Sequence, residues 1–276
     1  MVSGEGVCVV SRVAIIAAMA GELKPLVRGW WHERCDGVDV WRWKFDEGEW
    51  VAACSGAGVS AATRAFAAAE KDGPLSVVIS IGWVGALTEA LETGRAYLVA
   101  GVIDVRTGER FEALSLSQTS NGLSDPTHRD ESAMNGAQTG NVGQSDVLLV
   151  TSPIVADEAE KRRLAAAYGA DMVDMEASAV ARLAQMRGIP FYSIKGVSDG
   201  LTDKLPDFNR FIRPDGRFDM TGMILFSILR PWYWPSLVRM GENSNKASQS
   251  MREAVLDFLD ERAYIRERNG YPNIKR

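Results

Sequence analysis

The chain alternates short apolar runs with alanine-rich segments of helical period. Residues 12–18 form a nearly continuous apolar run, as expected of a strand buried on both faces of a parallel sheet. A helix is predicted to begin at Glu22 and run to about Val27. Residues 40–45 alternate like a hairpin strand, and residues 50–54 are its predicted return. Ser55-Gly56-Ala57-Gly58 then opens an alanine-rich helix that reaches about Lys71. Residues 77–81, the region 94–105, and residues 147–151 and 191–197 repeat the strand pattern. Two helices lie between the last two of these. Residues 157–168 are amphipathic with charged outer positions, and residues 177–185 carry Val180, Leu183 and Ala184 at helical spacing. Gly188 and Pro190 end the second helix. This alternation predicts an α/β fold: one domain, residues 12–204, with a mixed, largely parallel central sheet flanked by helices.

Two stretches break the pattern. Residues 114–146 are polar and rich in Gly, Ser, Asn and Gln, which predicts a long loop with His128 as a solvated side chain. Beyond residue 204, a loop to about 217 leads to apolar residues 220–229. Arg230-Pro231-Trp232-Tyr233-Trp234-Pro235 interrupts, and residues 237–259 again read as helix. Residues 205–276 are therefore expected to be a helical C-terminal extension of the same domain. Its apolar stretch falls short of the roughly 20 residues that span a bilayer. It can pack on the core or on a second copy, making the chain a homo-oligomer. Alternatively, its aromatics and arginines make residues 223–240 a candidate peripheral membrane or lipid contact.

Composition narrows the class. The 276 residues are 46% hydrophobic and 24% charged, ordinary for a soluble globular protein. A net charge of −5 argues against nucleic acid as a partner. Three cysteines without metal-type spacing point to a reducing, cytoplasmic setting, and two histidines make a multi-histidine metal site unfavourable. The apolar run ending at Ala20 has a weak positive flank and reads as a first strand behind a loose leader, residues 1–11. Five of the eight tryptophans lie between residues 30 and 54, where core packing is their plain role.

The candidate chemistry is carboxylate. Glu22 and Glu176 each fall in or just before the first turn of a helix, where the dipole favours a negative charge. Asp199 follows a buried strand, the end at which α/β sheets place ligand groups. Each has a purely structural alternative as a helix-end or turn residue. Gly56-Ala57-Gly58 after a strand also suggests a nicotinamide oxidoreductase. However, no acidic residue follows at the end of the next strand, where Gly82 and Trp83 stand.

Met175-Glu176 before an alanine-rich helix, and Ser198-Asp199 after the next strand, resemble the nucleoside phosphorylase and nucleosidase superfamily that includes methylthioadenosine/S-adenosylhomocysteine nucleosidases. The resemblance implies that Met175 and Glu176 hold the ribose and that Ser198 and Asp199 meet the purine. Glu22 matches the family's water-activating carboxylate, and Pro153 and Ile154 its purine-side segment. Gly82 and Trp83 fall in its glycine-rich turn, with Trp83 where a Thr or Ser is usual. Ser80 stands where the phosphorolytic members carry an Arg, which favours water over phosphate as nucleophile.

The activity so implied is a nucleosidase that releases adenine from a 5′-substituted adenine nucleoside, with no cofactor and no metal. Asp199 would be the general acid to purine N7, with a pKa raised by burial, and Glu22 the base for water. The tail is similar to that of hopanoid-associated members, which implies a lipid-like nucleoside such as adenosylhopane, cleaved by water or phosphate. A non-catalytic nucleoside-binding protein is the alternative of another class.

Overall fold

The computed structural model of the chain describes residues 11–45, 48–114, 143–203, 206–213 and 219–268. The leader, residues 1–10, and residues 115–142 of the polar stretch, with His128, lie outside them.

Among the described residues, ten strands form one sheet. They are β1 (Ser11–Ala17), β2 (Trp31–Cys35), β3 (Val38–Phe45), β4 (Gly48–Cys54), β5 (Val77–Ala86), β6 (Ala96–Asp104), β7 (Arg110–Glu112), β8 (Gly143–Thr151), β9 (Met172–Asp174) and β10 (Phe191–Asp199). The helices are α1 (Ala20–Leu23), α2 (Val59–Glu70), α3 (Glu158–Tyr168), α4 (Ala177–Met186), α5 (Met220–Ile228) and α6 (Trp234–Arg268). The expected α/β domain with a helical extension is therefore present.

The organising strand is β5. Residues Val77 to Ser80 pair in parallel with β1 on one side, and β10 runs parallel along the other. Its last residues, Gly85 and Ala86, meet antiparallel β9. Because β10 also pairs with β6, and β6 leads through β8 to β9, five strands close on themselves. The closed part, with β1 beside β5, puts the C-terminal ends of β1, β5, β8, β9 and β10 around one space.

Several expectations are corrected. The glycine-rich turn at residues 81–87 is the continuation of β5 to Ala86. Its glycines mark close approach instead of a bend. A Cβ on Gly82 would lie 3.3 Å from Glu22 Oε1, and one on Gly85 2.9 Å from Lys161 Cε. The helix expected from Glu22 is only the single turn α1, which starts earlier at Ala20. The polar stretch ends sooner than expected, since β8 begins at Gly143. Strands β2, β7 and β9 have no run long or apolar enough to read as strands, and β2 is mostly exposed at the sheet edge.

The extension packs on the core. Ala247, Met251, Ala254, Val255 and Phe258 of α6 are buried at helical spacing. Phe258 meets Tyr192 of β10 edge-on at 4.5 Å between ring centroids. Gly196 of β10 permits this approach, because a Cβ there would sit 2.8 Å from that of Ala247. Among the described residues, no helix is long and apolar enough to cross a membrane.

Candidate active site

The strand ends surround a cavity of about 750 Å³. Of the residues expected at the site, Glu22, Trp83, Ile154, Met175, Glu176, Ser198 and Asp199 line it, while Gly82 and Pro153 do not. Gly82 lies behind Glu22 as backing, and Pro153 is exposed.

Glu22 is buried, and hydrogen bonds fix its carboxylate from two directions. The single turn of α1 carries the side chain back so that Oε2 accepts from the backbone N–H groups of Ala18 and Met19, each at 2.8 Å. Oε1 accepts from the N–H of Trp83 on β5 at 2.9 Å. Burial raises the Glu22 pKa, opposed by these amides and by the Lys195 ammonium. A carboxylate whose pKa is raised by burial is a stronger proton acceptor than a solvated one.

Glu176 stands at the N-cap of α4. Its Oε1 accepts from the Gly58 N–H at 2.6 Å. Gly58 has φ near +89°, a conformation open to glycine at little cost. The glycine turn after β4 thus spends the Gly58 amide on Glu176, where a dinucleotide site would turn it to a pyrophosphate. Burial, and then the neighbouring Asp174 carboxylate, push the Glu176 pKa up to about 8.

Asp199 lies across the cavity at the end of β10. The register of β10 against β5 shifts between Val197 and Asp199, an irregularity of the kind that re-aims side chains at a strand end. Oδ1 accepts from the Ser198 hydroxyl at 2.7 Å, and Oδ2 is ion-paired with Lys161 of α3. The sequence reading gave Asp199 no charged partner, and the structure sets the buried Lys161 side chain on it.

Residues 12–216 match the family model of the Phosphorylase superfamily. The chain belongs to the phosphorylase superfamily. Solved structures of similar fold include the 5′-methylthioadenosine/S-adenosylhomocysteine nucleosidase from S. pneumoniae, with a TM-score of 0.63 and 18% identity over 91% of this chain and 99% of that one. The nucleosidase of the same name from Helicobacter pylori gives 0.62 and 15%, over 91% and 99% of the two chains. Futalosine hydrolase of Helicobacter pylori gives 0.59 and 14%, over 91% and 98%. No curated protein sequence matches the chain. The family match stops at residue 216, so the resemblance of the tail to hopanoid-associated members gains nothing from it.

On this superfamily scaffold the structure adds three charged residues that the sequence reading passed over. Lys195, buried in β10, donates to Ser80 Oγ at 3.0 Å and pairs with Asp174 at 3.0 Å. Asp174 also accepts from Thr151 Oγ1 at 2.8 Å and from the Ala177 N–H at 3.0 Å. Together they form a satisfied polar network beneath Glu22 and Glu176. Lys161 is the third. A lysine inside the apolar run 191–197, and one three positions before Leu164 on the inner face of α3, were the available signals.

The extension supplies the other wall. Met223, Ile228, Trp234, Leu237 and Met240 line the cavity from α5 and α6. Trp83 ties that wall to the sheet, its indole N–H shared between Ser248 Oγ at 2.9 Å and the Ser244 carbonyl at 3.0 Å. Trp83 is thus a brace between β5 and α6 as well as a lining residue.

Proposed function

We propose that this phosphorylase-superfamily chain is a nucleosidase that cleaves the N-glycosidic bond of a 5′-substituted adenine nucleoside with water. The observation that carries the reading is the convergence of Glu22, Glu176 and Asp199 on one cavity. Cleavage passes through an oxocarbenium-like sugar and a departing purine anion, so it calls for carboxylates near the ribose and a proton donor at the base. Glu176 accepts from the 2′ and 3′ hydroxyls. These bonds, with positive charge growing at C1′, favour its ionised form when substrate binds. Glu22 takes the proton from the attacking water, and the leaving base is protonated from the Asp199 end of the cavity. Met175 and Trp83 border the sugar, and Ile154 and Ser198 the purine. Two of the similar structures are named as methylthioadenosine/adenosylhomocysteine nucleosidases, in keeping with this substrate class.

A specific observation favours a long apolar 5′ group over a small one. Residues of α5 and α6 make one wall of the cavity apolar. Ile228 and Trp234 are also exposed, alongside Leu225, Leu229, Trp232 and Val238. The cavity wall therefore continues onto an apolar surface patch. Arg230 stacks over Phe226 at 3.9 Å within that region. A lipid-like nucleoside could enter from a membrane surface at residues 223–240, each buried methylene adding about 0.8 kcal/mol of binding.

The deciding experiment is chromatography of 5′-methylthioadenosine and 5′-decylthioadenosine incubated with the protein, with and without phosphate. Adenine release independent of phosphate, and faster at low concentration for the decyl compound, is expected. Binding without release of base would make the chain a nucleoside-binding protein, and dependence on phosphate would make it a phosphorylase.

A further inference from the structure

Of the eleven large apolar side chains exposed among the described residues, six fall between residues 225 and 238. They are Leu225, Ile228, Leu229, Trp232, Trp234 and Val238, each 51–69% exposed. Leu225, Ile228 and Leu229 share one face of α5 at i, i+3 and i+4, and Trp234 and Val238 stand one turn apart on α6. Packing beneath holds the stretch in shape. Phe226 stacks on Tyr233 at 6.3 Å between ring centroids, and Arg210 and Arg230 lie over its ring at 5.1 Å and 3.9 Å. An apolar cluster of this kind on a folded chain marks an interaction site.

Charge decides the partner. Arg230 and Arg239 are the only charged residues between 220 and 241, in a chain of net charge −5. Among the described residues, no carboxylate pairs with either. Against a second copy about a two-fold axis, the patch would set arginine against arginine with no acid to answer. A bilayer with anionic headgroups complements both charges and takes the apolar side chains and indole rings at its interface. It also leaves the cavity mouth in use, because Ile228 and Trp234 belong both to the patch and to the cavity lining. We propose that residues 225–239 dock the protein on a bilayer carrying anionic lipids. Leu225, Leu229, Trp232 and Val238 enter the acyl boundary, Arg230 and Arg239 meet the headgroups, and the cavity opens into the membrane. The contact is peripheral, since among the described residues no helix is long and apolar enough to cross. Docking extends the lipid-nucleoside reading and rests on it only for the substrate, whose 5′ chain stays in the acyl region while the nucleoside enters the cavity.

The test floats the full chain with vesicles of phosphatidylcholine alone and of phosphatidylcholine mixed with phosphatidylglycerol. The wild type should bind the mixed vesicles at least about fivefold better than the neutral ones, and added salt should narrow the gap. Leu229→Asp with Trp232→Asp should lower binding to the mixed vesicles at least about tenfold, and Arg230→Gln with Arg239→Gln at least about fivefold. Trp31→Ala with Trp43→Ala removes the exposed tryptophans of β2 and β3 and should leave binding as it was. A wild type that does not float would overturn docking, and so would binding that the aspartates leave unchanged. Equal binding to neutral and mixed vesicles would overturn the anionic partner. A wild type that stays off vesicles but sediments as a dimer, which the aspartates dissociate, would make the patch an interface between copies. If the aspartate variant does not fold, the arginine pair carries the test. Empty vesicles read docking without any reaction, and 5′-decylthioadenosine held in mixed vesicles reads the substrate. Leu229 and Trp232 stand outside the cavity lining. The aspartate variant should therefore lose adenine release from the vesicles at least about tenfold, yet turn over 5′-methylthioadenosine within about threefold of wild type. No base release by the wild type from either nucleoside would overturn the nucleosidase reading and leave docking to the empty vesicles.

Discussion

Replacing Glu176 by Gln should flatten the loss of stability that rising pH brings. In the folded chain, burial and Asp174 raise the Glu176 pKa from 4.5 to about 8. A group raised in this way leaves stability intact below its unfolded value. Above that value the unfolded chain gives up the proton while the folded chain keeps it, and stability falls until the folded group ionises as well. The window therefore runs from about pH 4.5 to about pH 8. At about 1.36 kcal/mol per pH unit the whole window amounts to on the order of 5 kcal/mol. Readjustment of Lys195 and entry of water lower the measured value, so about 2 kcal/mol between about pH 6 and pH 8.5 is a realistic expectation. Glutamine keeps the size and loses the titration. Urea unfolding of both proteins across that range reads the difference directly. The variant should gain on the wild type steadily as pH rises. Some slope should persist in the variant, because Glu22 is raised by burial with the same sign. A stability gap that stays constant within about 0.5 kcal/mol over the range would refute the burial argument for Glu176.

Three further outcomes are expected. Glu22→Gln should cut turnover by more than about a hundredfold while 5′-decylthioadenosine still binds, and turnover within a few-fold of wild type would remove Glu22 as the base. Gly196→Ala forces a Cβ to 2.8 Å from Ala247 Cβ and 3.1 Å from its carbonyl, so α6 must shift. Denaturation should register a loss of about 1–3 kcal/mol, the range for overpacking, and an unchanged midpoint would mean that α6 docks less tightly than its burial implies. Trp234→Ala should weaken binding of the decyl compound at least about tenfold and of 5′-methylthioadenosine hardly at all. Equal effects on both in calorimetry would place the chain of the substrate elsewhere.

Strands β1, β4, β5 and β10 and helices α2, α3 and α4 were legible because each carries its own period of burial. Residues 12–18 and 191–197 are apolar enough to be central strands wherever the sheet puts them, and the alanine stripe of α2 needs no partner to be recognised. The short strands β7 and β9 were not legible, since three residues pair only because longer neighbours present them with open edges. The site divides in the same way. Glu22, Glu176 and Asp199 stood out from their places at the ends of local elements, together with the family resemblance of the residues beside them. Their convergence, the Gly58 amide on Glu176, and the Lys195–Asp174 pair join residues far apart in the chain, and only closure of the sheet brings them together. Lys161 is the clearest case. In sequence it is one more charge in an amphipathic helix, and only the packing of α3 over Gly85 takes it out of water and sets it on Asp199. A side chain's chemistry is written locally, but its partner and its solvation are fixed by the fold.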